Sequence, residues 1–128
     1  MIRTGLAIVA LVTVALTASS VAFAAATLTG KYATTIKSPS PLKGSWVLSL
    51  TKAGTYTVAL NGEVLAGGKY SATGSTITFG RETAGGCPKS GKYTWKKSGK
   101  TLTFTRISES ATCSARSAVL SRTFTQRQ

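Results

Sequence analysis

Few residues in this chain could do covalent chemistry. There is no histidine and no aspartate, and the acids are three scattered glutamates, Glu63, Glu82 and Glu109. A serine or cysteine nucleophile therefore lacks its usual base. A carboxylate pair would need the fold to bring two distant glutamates together. Two cysteines without histidine or aspartate make no ordinary zinc site. An enzyme is not expected, nor a cofactor or metal. The run Gly86-Cys87-Pro88-Lys89-Ser90-Gly91-Lys92-Tyr93 follows a phosphate-cradling loop up to its last position. There Tyr93 stands where Ser or Thr would hold magnesium, and the alternation beyond it reads as a strand, not the required helix. It is a loop entering a strand.

The arginines offer more. By strand parity Arg106 shares the face of Leu102 and Phe104, and Arg122 that of Leu120 and Phe124. An inward guanidinium is costly unless paired, and it pairs bidentately with carboxylate or phosphate. Arg106 and Arg122, with the aromatics Tyr32, Trp46, Tyr93 and Trp95, are thus the candidate site for an amphiphilic or anionic small molecule. Two structural readings compete. Both arginines could snorkel to solvent at strand ends, or one could stack on an aromatic such as Tyr32 or Trp46. The aromatics themselves read as core before they read as a cavity lining. Arg116, just past Cys113, is expected to brace a disulfide loop.

The elements that would position these residues begin after a leader. Met1-Ile2-Arg3 supplies a positive charge, Gly5 to Leu16 is almost wholly apolar, and small residues end in Ala22-Phe23-Ala24 and Ala24-Ala25-Ala26. That order is a secretory signal peptide over residues 1–24, cleaved near 24–26. An uncleaved membrane anchor is the alternative, since residues 5–26 are long enough to span. Export places the product outside the cell, in the periplasm or in the envelope, with no transmembrane segment after processing. In that oxidising setting Cys87 and Cys113 are expected to form a disulfide. Sixteen basic residues against three acids give a net charge of +13, a field that attracts anions. An acidic protein or a cell-wall polyanion is a possible partner. Nucleic acid is not expected, because no stacking motif or basic helix accompanies the charge.

Beyond the leader no helical pattern stands out, and apolar residues recur with period two. Trp46, Leu48 and Leu50 share a face, as do Tyr56, Val58 and Leu60, Ile77 and Phe79, Tyr93 and Trp95, and Leu102 and Phe104. Turns fall between these runs at Ala53-Gly54, Asn61-Gly62, Thr73-Gly74-Ser75 and Lys97-Ser98-Gly99-Lys100. Arg81 to Ser90 reads as a longer loop and Ser110 to Ser117 as an irregular piece with room for a helical turn. Gly-Lys-Tyr recurs at residues 30–32, 68–70 and 91–93, which suggests successive hairpins with inward tyrosines. The expected fold is an all-β, antiparallel up-and-down meander of about eight strands over residues 27–126. Its edges are best hidden by closure into a small barrel, with a two-sheet sandwich as the alternative.

The Gly-x-Tyr strand starts, Gly91-Lys92-Tyr93-Thr94-Trp95, Leu102-Thr103-Phe104, Cys113-Ser114-Ala115-Arg116 and a closing strand from Leu120 to Phe124 resemble small secreted bacterial lipocalin-like domains of the calycin group. The resemblance implies one barrel with an apolar ligand site at its mouth. Such domains often carry an acid shortly before the cysteine of Cys-x-x-Arg, and here Glu109 is the only one. The expected function is a secreted, non-enzymatic binding protein for a small amphiphilic or anionic ligand. The alternatives are a protein-binding module, such as an inhibitor of a secreted hydrolase, and a charge-bound envelope protein.

Overall fold

A computed structural model describes residues 24–83 and 85–128. Eight antiparallel strands close into one barrel in meander order. They are β1 (Gly30–Ile36), β2 (Gly44–Leu50), β3 (Thr55–Leu60), β4 (Glu63–Ala72), β5 (Thr76–Phe79), β6 (Gly91–Ser98), β7 (Thr101–Ser108) and β8 (Phe124–Arg127). A 3₁₀ turn (Ala111–Cys113) leads into a short helix, α1 (Ser114–Leu120), between β7 and β8. The leader expected over residues 1–24 lies outside the described residues except for Ala24. Among the described residues no helix is long and apolar enough to cross a membrane.

Alternation produces this wall directly. Trp46, Leu48 and Leu50 are buried on the inner face of β2, as are Ile77 and Phe79 on β5. Asn61 and Gly62 both take positive φ, 50° and 86°, as a two-residue hairpin turn of matching twist requires. The three Gly-Lys-Tyr copies each bury their tyrosine: Tyr32, Tyr70 and Tyr93. Two of them, Gly30 and Gly91, start strands, whereas Gly68 lies inside β4.

The interior is filled by an aromatic chain running from β3 to β8. Tyr56 meets Phe79 edge to face at 5.0 Å, Phe79 meets Tyr93 and Phe104 at 5.8 and 5.6 Å, and Phe104 meets Phe124 at 6.0 Å. Such pairs each contribute about 0.5–1.5 kcal/mol beyond the area they bury.

The two ends of the barrel are closed differently. At one end residues 24–28 form a helical turn that places buried Leu28 beneath the barrel. The Tyr32 hydroxyl donates to the Leu28 carbonyl (2.8 Å), and Lys97 Nζ donates to the Thr27 carbonyl (3.3 Å). These contacts lie beyond both expected cleavage points. At the other end, the mouth, the wall is incomplete. β8 is only four residues long and pairs with β7 at Thr101 and Leu102 alone. The mouth half of β7 therefore has no strand on that side, and α1 packs against β7 instead.

The helical turn for which Ser110 to Ser117 left room is the 3₁₀ turn and α1, which runs on to Leu120. Its buried residues, Arg116, Val119 and Leu120, have helical i, i+3, i+4 spacing. One apolar pair in seven residues is too little for that spacing to stand out. The closing strand consequently begins at Phe124, and Leu120 ends the helix rather than starting the strand.

Candidate functional site

Neither of the two arginines expected on inward faces is enclosed by the barrel. Arg122 lies in the turn after α1, so strand parity does not apply to it, and it is exposed. Arg106 is opposite Tyr93 in register, but it is exposed too. This part of β7 has no β8 neighbour to enclose it. Three of the four aromatics are structural. Tyr32 is fully buried under its bond to Leu28, Tyr93 donates to the Glu109 carboxylate, and Trp95 Nε1 donates to the Thr73 carbonyl (3.0 Å). Trp46 alone lines a cavity.

That cavity opens at the mouth and has a volume of about 270 Å³. Trp46, Leu48, Val58 and Phe79 form its inner wall, Val119 and Leu120 of α1 face them, and Leu65 and Ala66 stand at the rim. Leu65 is 43% exposed, an apolar side chain left partly in water beside an apolar hollow. Trp46 is fixed from behind by its Nε1 bond to the Leu42 carbonyl (2.7 Å). The barrel is thus filled along its aromatic chain and hollow where α1 replaces a strand.

The cavity's polar side is built around Arg116. Its side chain and that of Glu109 are 5% and 1% exposed and meet at 2.6 Å. Arg116 Nε also donates to Glu109 (3.0 Å), making the pair bidentate. Nη1 donates to the Gly80 carbonyl (3.0 Å) and the Tyr56 hydroxyl (3.4 Å), and Nη2 donates to the Lys89 carbonyl (2.8 Å). All five guanidinium N–H groups are therefore engaged. Glu109 also accepts from Tyr93. It occupies the place a side chain at Gly91 would take, so this position must remain glycine. A buried ion pair is retained only with such complete satisfaction.

Burial pushes the Tyr56 and Tyr93 hydroxyls well above the ordinary tyrosine value. Nearby Glu82 raises Tyr56 further, and the bond to Glu109 does the same for Tyr93. Burial opposes the charge on Arg116, but the bonds to Glu109 and Tyr56 outweigh it and hold the guanidinium more firmly protonated than usual.

The loop and the helix are tied together covalently. Cys87 and Cys113 form the expected disulfide, with Cα atoms 5.1 Å apart. With the Arg116–Lys89 bond, it clamps the segment after β5 onto the start of α1. Glu109 lies near both sulfurs, but a disulfide offers no thiolate to a metal.

The chain matches no protein-family model, no curated protein and no solved structure. The site must be read from its own geometry.

Sequence reasoning placed Arg116 as a brace for the disulfide loop, and its bond to the Lys89 carbonyl is consistent with that role. It did not find Glu82, which also lines the cavity. Glu82 Oε1 accepts from the Cys87 backbone N–H (2.7 Å) and Oε2 accepts from the Tyr56 hydroxyl (3.1 Å). The available signal was the position of one of only three acids in the loop that carries Cys87.

Proposed function

We propose that the protein is a secreted, non-enzymatic binding protein that takes a small amphiphile into the mouth of a lipocalin-like barrel. The observation that carries this reading is the apolar cavity of about 270 Å³ with polar groups gathered on one side. It is slightly smaller than the usual small-molecule pockets, which start at about 300 Å³, and lies in the mouth of a barrel, a frequent location for them. At about 30 Å³ per water-sized atom, it holds roughly nine non-hydrogen atoms. Membership of the calycin group belongs to the same proposal, supported by meander order and closure. Native mass spectrometry of the exported, oxidised protein, before and after incubation with a lipid extract, tests it. An adduct of one defined mass, displaced when Val58→Trp fills the cavity, is expected. A clean mass at every ligand concentration would overturn the reading.

A second reading is favoured by the charge distribution. Glu63, Glu82 and Glu109 all lie in the mouth half. Basic residues lie in both halves, Lys37, Lys43, Arg81, Lys89, Lys92 and Arg106 among those toward the mouth. But Lys31, Lys52, Lys69, Lys96, Lys97, Lys100 and Arg127 in the opposite half have no acid among them, and Lys31 pairs directly with Arg127 across β1 and β8. Like charges opposite one another are destabilising, and an anionic surface would relieve them. This supports retention by a cell-envelope polyanion, to be tested by salt elution from isolated envelopes. Elution unaffected by salt would remove it.

A further inference from the structure

We propose that the mouth cavity selects an amphiphile whose head donates hydrogen bonds, a protonated amine before an alcohol, with Glu82 as the accepting group. The proposal rests on the cavity being a binding site and adds which ligand chemistry it takes. Two charged side chains line the cavity among the described residues, Arg116 and Glu82. Arg116 would be the obvious receptor for a carboxylate or phosphate head, but it has no N–H left to give. Its five are directed at Glu109, Gly80, Tyr56 and Lys89. Its charge is also matched by the buried Glu109 carboxylate.

The Tyr56 hydroxyl is no better placed to serve an anion. Its single proton is shared between the Gly80 carbonyl (3.0 Å) and Glu82 Oε2 (3.1 Å). What remains is acceptor capacity. The Glu82 carboxylate has about four lone-pair positions. Two are engaged, by the Cys87 N–H and the Tyr56 hydroxyl. Together Arg116, Glu109 and Glu82 leave one negative charge on the cavity's polar side. The cavity is therefore of opposite sign to the chain as a whole, whose net charge is +13. An anion would be drawn to the basic outer surface of this protein, whereas the cavity lining itself disfavours it.

The test is isothermal titration with three matched probes, octylammonium, 1-octanol and octanoate. About 0.15 M salt confines surface electrostatics to short range. For the unaltered protein, octylammonium should bind about tenfold tighter than octanoate, the effect of one charged hydrogen bond, with 1-octanol between them. In Glu82→Gln, which retains a carbonyl acceptor, the ammonium preference should fall to about twofold. The order measured on the unaltered protein stands alone if the variant does not fold. Equal affinities, or octanoate strongest, would overturn the selectivity while leaving the cavity a binding site. Failure of all three probes to bind would overturn the binding reading on which it rests.

Discussion

The two ends of this barrel solve the same closure problem by different means. The end beneath Tyr32 is sealed by packing: Leu28 is fully buried there, and the Tyr32 hydroxyl satisfies its carbonyl. The mouth is braced by covalent and charged links, the Cys87–Cys113 disulfide and the Arg116–Glu109 pair, which hold α1 where β8 is too short to complete the wall. Packing fills the volume it covers. A clamp fixes positions at the margin and leaves the middle open. The cavity lies at the clamped end, and that difference explains why a chain of this size keeps any hollow.

The largest expected effect tests what both ends share. All four tyrosines are buried, and burial raises their hydroxyls, Tyr32 to about 12. A raised folded-state value means that the unfolded chain loses its protons first. The stability is fully present below pH about 10, the unfolded tyrosine value, and declines above it. Each tyrosine contributes a slope of about 1.4 kcal/mol per pH unit. Tyrosinate absorbance should rise in one cooperative step that coincides with unfolding. Independent, gradual ionisation of a folded barrel would contradict the packing described.

Cutting the mouth's charged clamp comes next. Arg116→Ala leaves Glu109 buried without its partner and should cost about 3–5 kcal/mol in urea unfolding. Arg116→Lys should recover little of that, because an ammonium cannot serve four separate acceptors spread over this fork. At the opposite end, Lys31→Ala should be neutral or slightly stabilising, since it removes repulsion from Arg127. Equal losses at the two ends would erase the contrast.

Breaking the disulfide sharpens the contrast further. Cys87→Ser with Cys113→Ser releases a loop with a sequence separation of 26, worth about 3 kcal/mol. Hydrogen exchange should accelerate in α1 and residues 80–90 before it does in β1 and β2. The smallest loss belongs to the packed end. Tyr32→Phe removes one hydroxyl bond to Leu28 and should cost about 1 kcal/mol, read as a shifted denaturation midpoint with unchanged slope.

The difference between the ends also marks how far the sequence could be read. Period-two alternation made the inner faces of β2, β3, β5 and β6 legible, and Asn61-Gly62 located a hairpin, because these signals are local. Closure followed from hairpin succession. The mouth was less legible because its logic is long-range. Arg116 reaches Lys89, Gly80 and Tyr56, which lie 27, 36 and 60 residues away. Arg106 and Arg122 are exposed, as the alternative of snorkelling to solvent has it, because parity encloses a side chain only where a strand has neighbours on both sides. Arg106 lies where β7 has no β8 neighbour, and Arg122 precedes the strand that was expected to carry it. Glu82 was passed over as an isolated acid. Its bond to the Tyr56 hydroxyl spans 26 residues.

The most direct measurement is amide NMR of the oxidised protein titrated with octylammonium. Perturbations should cluster at Trp46, Val58, Leu65, Glu82, Ala115 and Val119, with Lys31, Ser98 and Thr125 unmoved at saturation. Shifts centred on the closed end, or spread over the basic surface and abolished by salt, would contradict a ligand site at the mouth.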